Sequence, residues 1–303
     1  MKPTLNSNDR SQNTQSPPLV VIAGETASGK SALAMELAEK FGGELVCADS
    51  WTVYKGFDIG TAKPTPEERK AIPHHLLDVA GPAEGFSAVL FQKLAKQAIV
   101  DISKRGKLPI MVGGTGLYID SVLYDYGFLP PSDPTLRREL NAMTLDQVLA
   151  RAEAMELDTL GIDLRNKRRV IRLIENNGRR PGKQPMRKNT LVMGLVTDRE
   201  LLRERITKRV DMMLEQGLEG EVRGLAERYG WEAEPMKGIG YREWQPYFAG
   251  SQDLAETRER IIKASMDLAK RQRTWFKRNS GIQWLPDRSN AVDFVTTFLN
   301  KND

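Results

Sequence analysis

The chain has 303 residues, and its 40% hydrophobic and 28% charged residues match ordinary globular proteins, which excludes wholesale disorder and a small disulfide-stapled fold. Cys47 is the single cysteine, so no intrachain disulfide can form, and the adjacent His74 and His75 have no cysteine cluster with which to hold a structural zinc ion. No apolar run reaches about 18 residues, so we expect no membrane-spanning segment. These features favour the reducing cytoplasm as the compartment.

The excess positive charge is local. The whole chain carries a net charge of +5, from 45 basic and 40 acidic residues. Residues 163–188 alone hold ten lysines and arginines and only two acidic residues, so the remainder of the chain is slightly acidic. A basic segment of this density indicates an anionic partner.

The first half of the chain alternates apolar runs with helical patterns. Runs at Leu19–Ala23, Glu44–Ala48 and Leu108–Val112 predict buried strands, and the spacing of apolar residues in Ser31–Phe41 and Phe86–Arg105 predicts helices. This alternation predicts an α/β fold with a parallel sheet flanked by helices. In such folds ligands gather at the carboxyl ends of the strands.

The second half adds a helical segment and then returns to the sheet. Further elements are predicted as helical patterns at Thr135–Glu156, Asn166–Glu175, Arg199–Gln216, Glu219–Tyr229 and Leu254–Arg278, and as a strand at Leu191–Val196. We expect a disordered Asn- and Ser-rich tail at 1–17, a catalytic core formed by 18–128 and 165–303, and a small helical insertion at 129–164.

A phosphate-loop pattern, G-x-x-x-x-G-K-[ST], follows the first predicted strand and opens the first predicted helix. Its residues are Gly24, Glu25, Thr26, Ala27, Ser28, Gly29, Lys30 and Ser31. The glycines let backbone N–H groups curl around a phosphate, Lys30 neutralises its oxygens, and the Ser31 hydroxyl can bind Mg²⁺. The pattern predicts a site for a pyrophosphate group, without indicating whose.

Asp49 is the carboxylate that ends a predicted strand. In ordinary P-loop NTPases a later strand ends in a carboxylate that holds Mg²⁺ through water, but here that strand ends in Gly113 and Gly114. Asp49 can therefore serve as a metal-shell ligand or as a base that reaches a substrate. A simple helix-capping role is the alternative.

The residues that follow Asp49 resemble the signature of the tRNA dimethylallyltransferases, also called tRNA isopentenyltransferases. The resemblance spans about 20 to 278 and rests on motifs in the family's order: Ala48–Pro64, Pro73–Asp78, Phe86–Ser87, Gly113–Tyr118, Arg168–Arg172, Gly240–Arg242 and Ala269–Phe276. The family implies a P-loop NTPase-like core that moves the dimethylallyl group of dimethylallyl diphosphate to N6 of adenosine 37, just 3′ of a tRNA anticodon. It also implies Mg²⁺ as the cofactor, the anticodon stem-loop as the partner, no membrane, and a monomer.

The resemblance assigns roles to individual residues. Asp49 matches the general base that takes the N6 proton, Thr26 matches a group near the bridging oxygen, and Arg242 is expected to neutralise the leaving pyrophosphate together with Lys30 and Mg²⁺ on Ser31. The positions that match tRNA contacts, or form basic–aromatic stretches suited to RNA, are Asp49, Ser50, Trp51, Thr52, Thr115, Arg168, Arg169, Val170, Ile171, Arg172, Lys270, Arg271 and Arg273.

Three positions depart from the family pattern. Glu25 stands where proline is usual, and we expect its side chain to face outward from the loop; Thr52 replaces glutamine, and Met266 replaces arginine. His74 and His75 are interpreted as structural histidines, Cys47 as a packing residue and Trp275 as a core anchor.

Two other functions remain open from the residues. A small-molecule or nucleotide kinase would place ATP in the same loop and use Asp49 to activate a hydroxyl. A non-enzymatic RNA-binding protein would need only the basic helices.

Overall fold

The computed structural model describes residues 16–130, 133–285 and 288–301. The tail predicted at 1–17 therefore lies outside the described residues except for Ser16 and Pro17. Their carbonyls accept hydrogen bonds from the side chains of Asn189 (3.0 Å) and Arg187 (2.6 Å), respectively, so these two residues belong to the folded core.

In the described residues the chain forms six strands and twelve α-helices. The strands are β1 (Leu19–Gly24), β2 (Gly43–Ala48), β3 (His74–His75), β4 (Leu108–Gly113), β5 (Thr190–Leu195) and β6 (Gln283–Leu285). The helices are α1 (Lys30–Phe41), α2 (Pro66–Ala71), α3 (Ala88–Lys104), α4 (Gly116–Leu123), α5 (Pro134–Ala142), α6 (Leu145–Ala154), α7 (Lys167–Glu175), α8 (Arg199–Glu215), α9 (Leu218–Tyr229), α10 (Gln245–Phe248), α11 (Leu254–Phe276) and α12 (Ala291–Asn300).

The strands form one parallel sheet in the order β3-β2-β4-β1-β5-β6. All residues of β1, β2 and β4 are buried, as expected for a parallel sheet covered on both faces. Val20 and Ile22 pack with α1 and α12 in one apolar cluster, whereas α3 and α11, which also contact the sheet, lie outside that cluster and cover the other face. The predicted α/β fold class is confirmed.

The central strands end at the same edge of the sheet, where β1 finishes at Gly24 and where Ala48 of β2 pairs with Gly113 of β4. A side chain at Gly113 would place its Cβ 2.1 Å from the Ala48 carbonyl oxygen, so only glycine permits this close approach. The loops that follow Gly24, Ala48 and Gly113 consequently start side by side.

A second compact unit comprises residues Tyr124–Met186. The helical pattern predicted as one segment at Thr135–Glu156 is split into α5 and α6, because Thr144 caps α6 in a reciprocal capping box with Gln147. The unit extends beyond the insertion predicted at 129–164, since α7 buries Val170 and Ile174 against Leu140 of α5 and Val148 of α6.

No helix in the described part of the chain combines the length and the apolar character needed to cross a bilayer.

Candidate active site

The phosphate loop joins β1 to α1 through two residues with positive φ. Gly29 has φ of 89° and leads directly into α1, a conformation that glycine adopts without strain. Ala27, at φ of 58°, is a buried non-glycine residue in the left-handed region. The Lys30 ammonium donates to the carbonyl of Glu25 at 3.1 Å and closes the loop upon itself. The loop therefore curls back over the N-terminus of α1.

A cavity of about 400 Å³ opens beside this loop. Polar residues in its lining include Thr26, Lys30, Ser31, Asp49 and Arg209. The cavity lies at the carboxyl edge of the sheet, where a parallel α/β fold is expected to bind its ligand.

Two cations converge in the cavity. Burial of the ammonium group lowers the pKa of Lys30 to about 8, aided by nearby Arg209 and opposed by Asp49 and Glu25. Burial also lowers the pKa of Arg209, which Asp49 opposes, and its Nη1 donates to the Thr26 hydroxyl at 3.3 Å. A pair of partly buried cations beside a phosphate loop suits a multiply charged anion.

Asp49 follows β2 and is held by its own turn. Its Oδ1 accepts a hydrogen bond from the backbone N–H of Trp51 at 2.8 Å, so it forms a local turn and caps no helix. Thr115 supports the same turn, because its hydroxyl accepts from the N–H of Ser50 at 3.1 Å and its own N–H donates to Ala48 at 3.2 Å. The Asp49 side chain thus lines the cavity on a fixed backbone.

A small apolar pocket of about 90 Å³ continues from the cavity. Thr26, Asp49 and Arg209 line both spaces. The apolar lining is provided mainly by Ile206, Val210, Met213, Ile239, Ile261 and Leu268. Charged and apolar binding regions therefore meet at Thr26 and Asp49.

Glu221 of α9 holds one wall of this pocket. Its carboxylate accepts hydrogen bonds from the N–H groups of Asp58 (3.1 Å), Ile59 (2.8 Å) and Gly60 (3.1 Å), and from the Tyr241 hydroxyl (2.7 Å). Gly60 and the two residues after it line the pocket. The shape of that wall thus depends on a carboxylate whose role the sequence did not indicate.

One prediction about the loop is wrong. Glu25 does not face outward: its side chain is only 2% exposed and forms an ion pair with Arg273. The role of Arg242 at the leaving pyrophosphate stays a prediction: Arg242 is not among the described residues that line either cavity, and its Nε donates to Glu243 at 2.8 Å. Arg209 is a cation of the cavity that was not predicted from the sequence. The sequence does hold one indication of this role. Arg209 lies on α8 between the buried residues Ile206 and Val210, so it is a charged residue next to the apolar face of an amphipathic helix.

The residues expected to contact RNA divide into exposed and internal groups. Ser50, Trp51 and Thr115 are half-buried around Asp49, and Lys270 and Arg271 are exposed on α11. Thr52 is buried, and its hydroxyl has no hydrogen-bond partner among the described residues.

Within the smaller unit, α7 presents some of its predicted contacts and buries others. Arg168 and Arg169 are exposed, whereas Val170 and Ile171 belong to the apolar core and cannot offer side chains to a partner. Arg172 is engaged internally, donating to the carbonyls of Leu129 and Pro130 and pairing with Glu175. The helical period explains this division, since the apolar face of α7 must be covered.

The residues interpreted as structural have internal partners. His74 donates through Nδ1 to the Ile72 carbonyl at 2.7 Å, and His75 Nε2 lies 2.6 Å from Glu44. The Trp275 indole donates to Asp120 at 2.9 Å, and burial raises the pKa of the Cys47 thiol to about 12. His74 and Cys47 also line the larger cavity.

The phosphate loop, the six-stranded parallel sheet and the cavity at its carboxyl edge define a P-loop α/β protein. The family model described as IPP transferase matches residues 52–279. The chain belongs to the IPP transferase family.

Relatives and solved structures agree with this assignment. A tRNA dimethylallyltransferase of Geobacillus thermodenitrificans (strain NG80-2) is 42% identical over 284 residues, which cover 88% of this chain and 89% of that protein. The full-length tRNA isopentenylpyrophosphate transferase of Bacillus halodurans has a TM-score of 0.73 at 35% identity, with 94% of this chain and 98% of that chain covered. A eukaryotic dimethylallyltransferase acting on tRNA also reaches 0.73 at 29% identity, covering 89% and 74%.

Proposed function

We propose that this protein transfers the dimethylallyl group from dimethylallyl diphosphate to N6 of adenosine 37, just 3′ of the anticodon, in tRNA. The observation that carries the proposal is the junction at Thr26 and Asp49, where a cation-lined cavity beside a phosphate loop meets a small apolar pocket. A prenyl diphosphate has the same two parts, a charged head and a short apolar tail. The relatives named as tRNA dimethylallyltransferases support this reading.

The donor would be bound by its two ends. Backbone N–H groups of the phosphate loop, Lys30 and Arg209 hold the diphosphate, and the pocket around Met213 holds the five-carbon chain. As the allylic C–O bond breaks, negative charge develops on the pyrophosphate. Lys30 and Arg209 stabilise this charge more strongly in the transition state than in the ground state.

The site also suits an Mg²⁺ ion that is bound mainly by the phosphate oxygens of the donor. No group of three or more His, Cys, Asp and Glu side chains that could hold a metal ion occurs among the described residues. The Ser31 hydroxyl lies at the start of α1 in the cavity wall, and a hydroxyl together with phosphate oxygens is a donor set that Mg²⁺ accepts. Bound there, Mg²⁺ would supply further charge neutralisation to the leaving group.

Asp49 would act on the acceptor. The exocyclic N6 forms the new C–N bond, its proton passes to the Asp49 carboxylate, and the electron pair of the broken C–O bond leaves with pyrophosphate. The target adenine must leave its stack to reach a site this deep, as in other base-modifying enzymes. Exposed Lys270 and Arg271 on α11, and Arg168 and Arg169 on α7, would contact the RNA.

Because the phosphate loop, Asp49, Arg209 and the apolar pocket all come from one chain, we propose that the enzyme acts as a monomer. The decisive test incubates tRNA with the protein, Mg²⁺ and dimethylallyl diphosphate, followed by mass spectrometry of the nucleosides. We expect N6-isopentenyladenosine, and we expect little product from geranyl diphosphate because its chain is too long for the pocket.

A matched calorimetric titration with ATP addresses the kinase alternative. Tight Mg²⁺-dependent binding of ATP, with no binding of dimethylallyl diphosphate and no modified nucleoside, would refute the proposal. RNA binding without any modification would instead indicate the non-enzymatic alternative.

A further inference from the structure

Glu25 of the phosphate loop and Arg273 form a two-point ion pair in which the Glu25 side chain is buried and the Arg273 side chain is 29% exposed. Arg273 Nε donates to Glu25 Oε2 at 2.8 Å, and Nη2 donates to Oε1 at 2.6 Å. Thr197, two residues beyond the end of β5, joins the pair, since its N–H donates to Glu25 Oε1 at 3.1 Å and its carbonyl accepts from Arg273 Nη2 at 2.6 Å. Three hydrogen bonds thus tie the loop to α11 and to Thr197, and a fourth joins α11 to Thr197.

The preceding residue of α11 holds the next residue of the loop. Gln272 Oε1 accepts from the backbone N–H of Thr26 at 2.8 Å, and Nε2 donates to the Gly114 carbonyl at 3.0 Å. One turn of α11 therefore fixes the loops that follow three neighbouring strands. Ala27, in its left-handed conformation, comes directly after the two residues held in this way. Residues in such conformations persist when the surrounding structure fixes them.

The charges of the pair matter because of where it lies. A carboxylate buried beside a phosphate loop would repel a diphosphate unless a cation neutralised it. Arg273 supplies that cation, and its hydrogen bonds to Glu25 and Thr197 hold its partly exposed guanidinium against the loop. Removing one member of a buried pair leaves an uncompensated charge, whereas removing both does not.

We propose that Arg273, acting through Glu25, is a positioning residue that keeps the phosphate loop ready for the diphosphate, and that it makes no contact with RNA. The inference rests on the proposed function in assigning a diphosphate to the loop. Neither residue touches the reacting atoms: the pair sets the curvature and charge of the loop that does.

The test compares full-length wild type with Arg273→Met, Glu25→Gln and the double variant. Calorimetry with Mg²⁺ and pyrophosphate measures loop binding, and a salt titration of tRNA binding measures RNA contact. We expect Arg273→Met to weaken pyrophosphate binding about tenfold, Glu25→Gln to weaken it less, and the double variant to bind pyrophosphate about as well as Glu25→Gln alone. RNA affinity and its salt dependence should stay at the wild-type level, and Arg278→Met provides an exposed control on the same segment.

Two outcomes would overturn the proposal. In one, Arg273→Met weakens RNA binding and flattens its salt dependence while pyrophosphate affinity stays unchanged. In the other, Arg273→Met still costs tenfold in pyrophosphate affinity when Glu25 is already glutamine, which would mean that Arg273 acts on the ligand directly. This second comparison also serves if the single variant Arg273→Met does not fold. Pyrophosphate binding does not require transfer, so a wild-type protein inactive with the prenyl donor would refute the proposed reaction and leave this comparison intact.

Discussion

Arg209 of α8 reaches the hydroxyl of Thr26 in the phosphate loop, with Nη1 3.3 Å from Oγ1. Both residues line the charged cavity and the apolar pocket, so the contact lies where the bond to the leaving group would break. We expect Arg209→Gln to lower the transfer rate about 10²–10³-fold, the usual effect of removing one preorganised donor to a developing charge. Single-turnover kinetics measures this rate.

Arg242→Gln is the matched comparison. Arg242 forms an ion pair with Glu243, and it is not among the described residues that line the charged cavity or the apolar pocket. We expect its effect to remain below about tenfold, within the range of an indirect structural change. A larger loss for Arg242→Gln than for Arg209→Gln would contradict the assignment of Arg209.

The low pKa of Lys30, about 8, predicts that pyrophosphate affinity falls as the pH rises through that value. Below pH 8 the ammonium is charged and attracts the anion, and above it the free protein offers a neutral amine. Arginine stays charged across this pH range, so the pyrophosphate affinity of Lys30→Arg should not fall near pH 8. Pyrophosphate itself also ionises between pH 7 and 9, but this affects both proteins equally, so a comparison of their titrations isolates the effect of Lys30. Identical pH profiles for the two proteins would disprove the prediction.

The same shift has a consequence for stability without ligand. Between about pH 8 and 10.5 the unfolded chain binds more protons at Lys30 than the folded protein does, so the free energy of unfolding should rise with pH there. Below pH 8 the cost of burying the charged ammonium is fully present. Denaturant unfolding of wild type and Lys30→Met at several pH values would reveal the difference.

Asp49→Asn should preserve RNA binding and reduce turnover by about 10²–10⁴-fold, because an amide cannot take the N6 proton. The amide oxygen can still accept from the Trp51 N–H, so the turn should survive. Gel-shift titration and product formation are measured on the same preparation. Turnover within about threefold of wild type would reject Asp49 as the base.

Glu221→Ala should destabilise the fold by at least about 2 kcal/mol, because it leaves three backbone donors and the Tyr241 hydroxyl without their acceptor. Glu219→Ala, on the same helix, removes only a surface pair with Arg223 and should cost less than about 0.5 kcal/mol. Denaturant unfolding compares the two variants, and equal losses would show that the four contacts carry no special weight.

Arg169→Ala should weaken RNA binding regardless of the RNA sequence, because the exposed guanidinium is expected to contact a phosphate. The slope of log affinity against log salt concentration should fall in magnitude by about one. Arg172→Ala should instead lower the melting temperature, because its guanidinium supports the backbone at Leu129 and Pro130. An unchanged salt slope for Arg169→Ala would remove α7 from the RNA contact surface.

Local patterns predicted the central sheet because each strand is a continuous apolar run next to a helical period. β3 and β6 were missed: they are only two and three residues long, too short for a periodic signal, and pairing with β2 and β5 creates them. The phosphate loop and Asp49 were found because their spacing is fixed by local chemistry. Arg209 and the burial of Glu25 were not, because both depend on contacts between segments more than 170 residues apart in sequence.

The Gly113 backbone lies so close to Ala48 that not even a methyl group fits between β4 and β2. The distance between these two strands is therefore fixed. The position of Asp49, which follows the last residue of β2, is fixed with it. Attempts to engineer the protein for bulkier acceptors or longer donors must remodel α8 or the 58–62 turn, since the strands themselves offer no latitude.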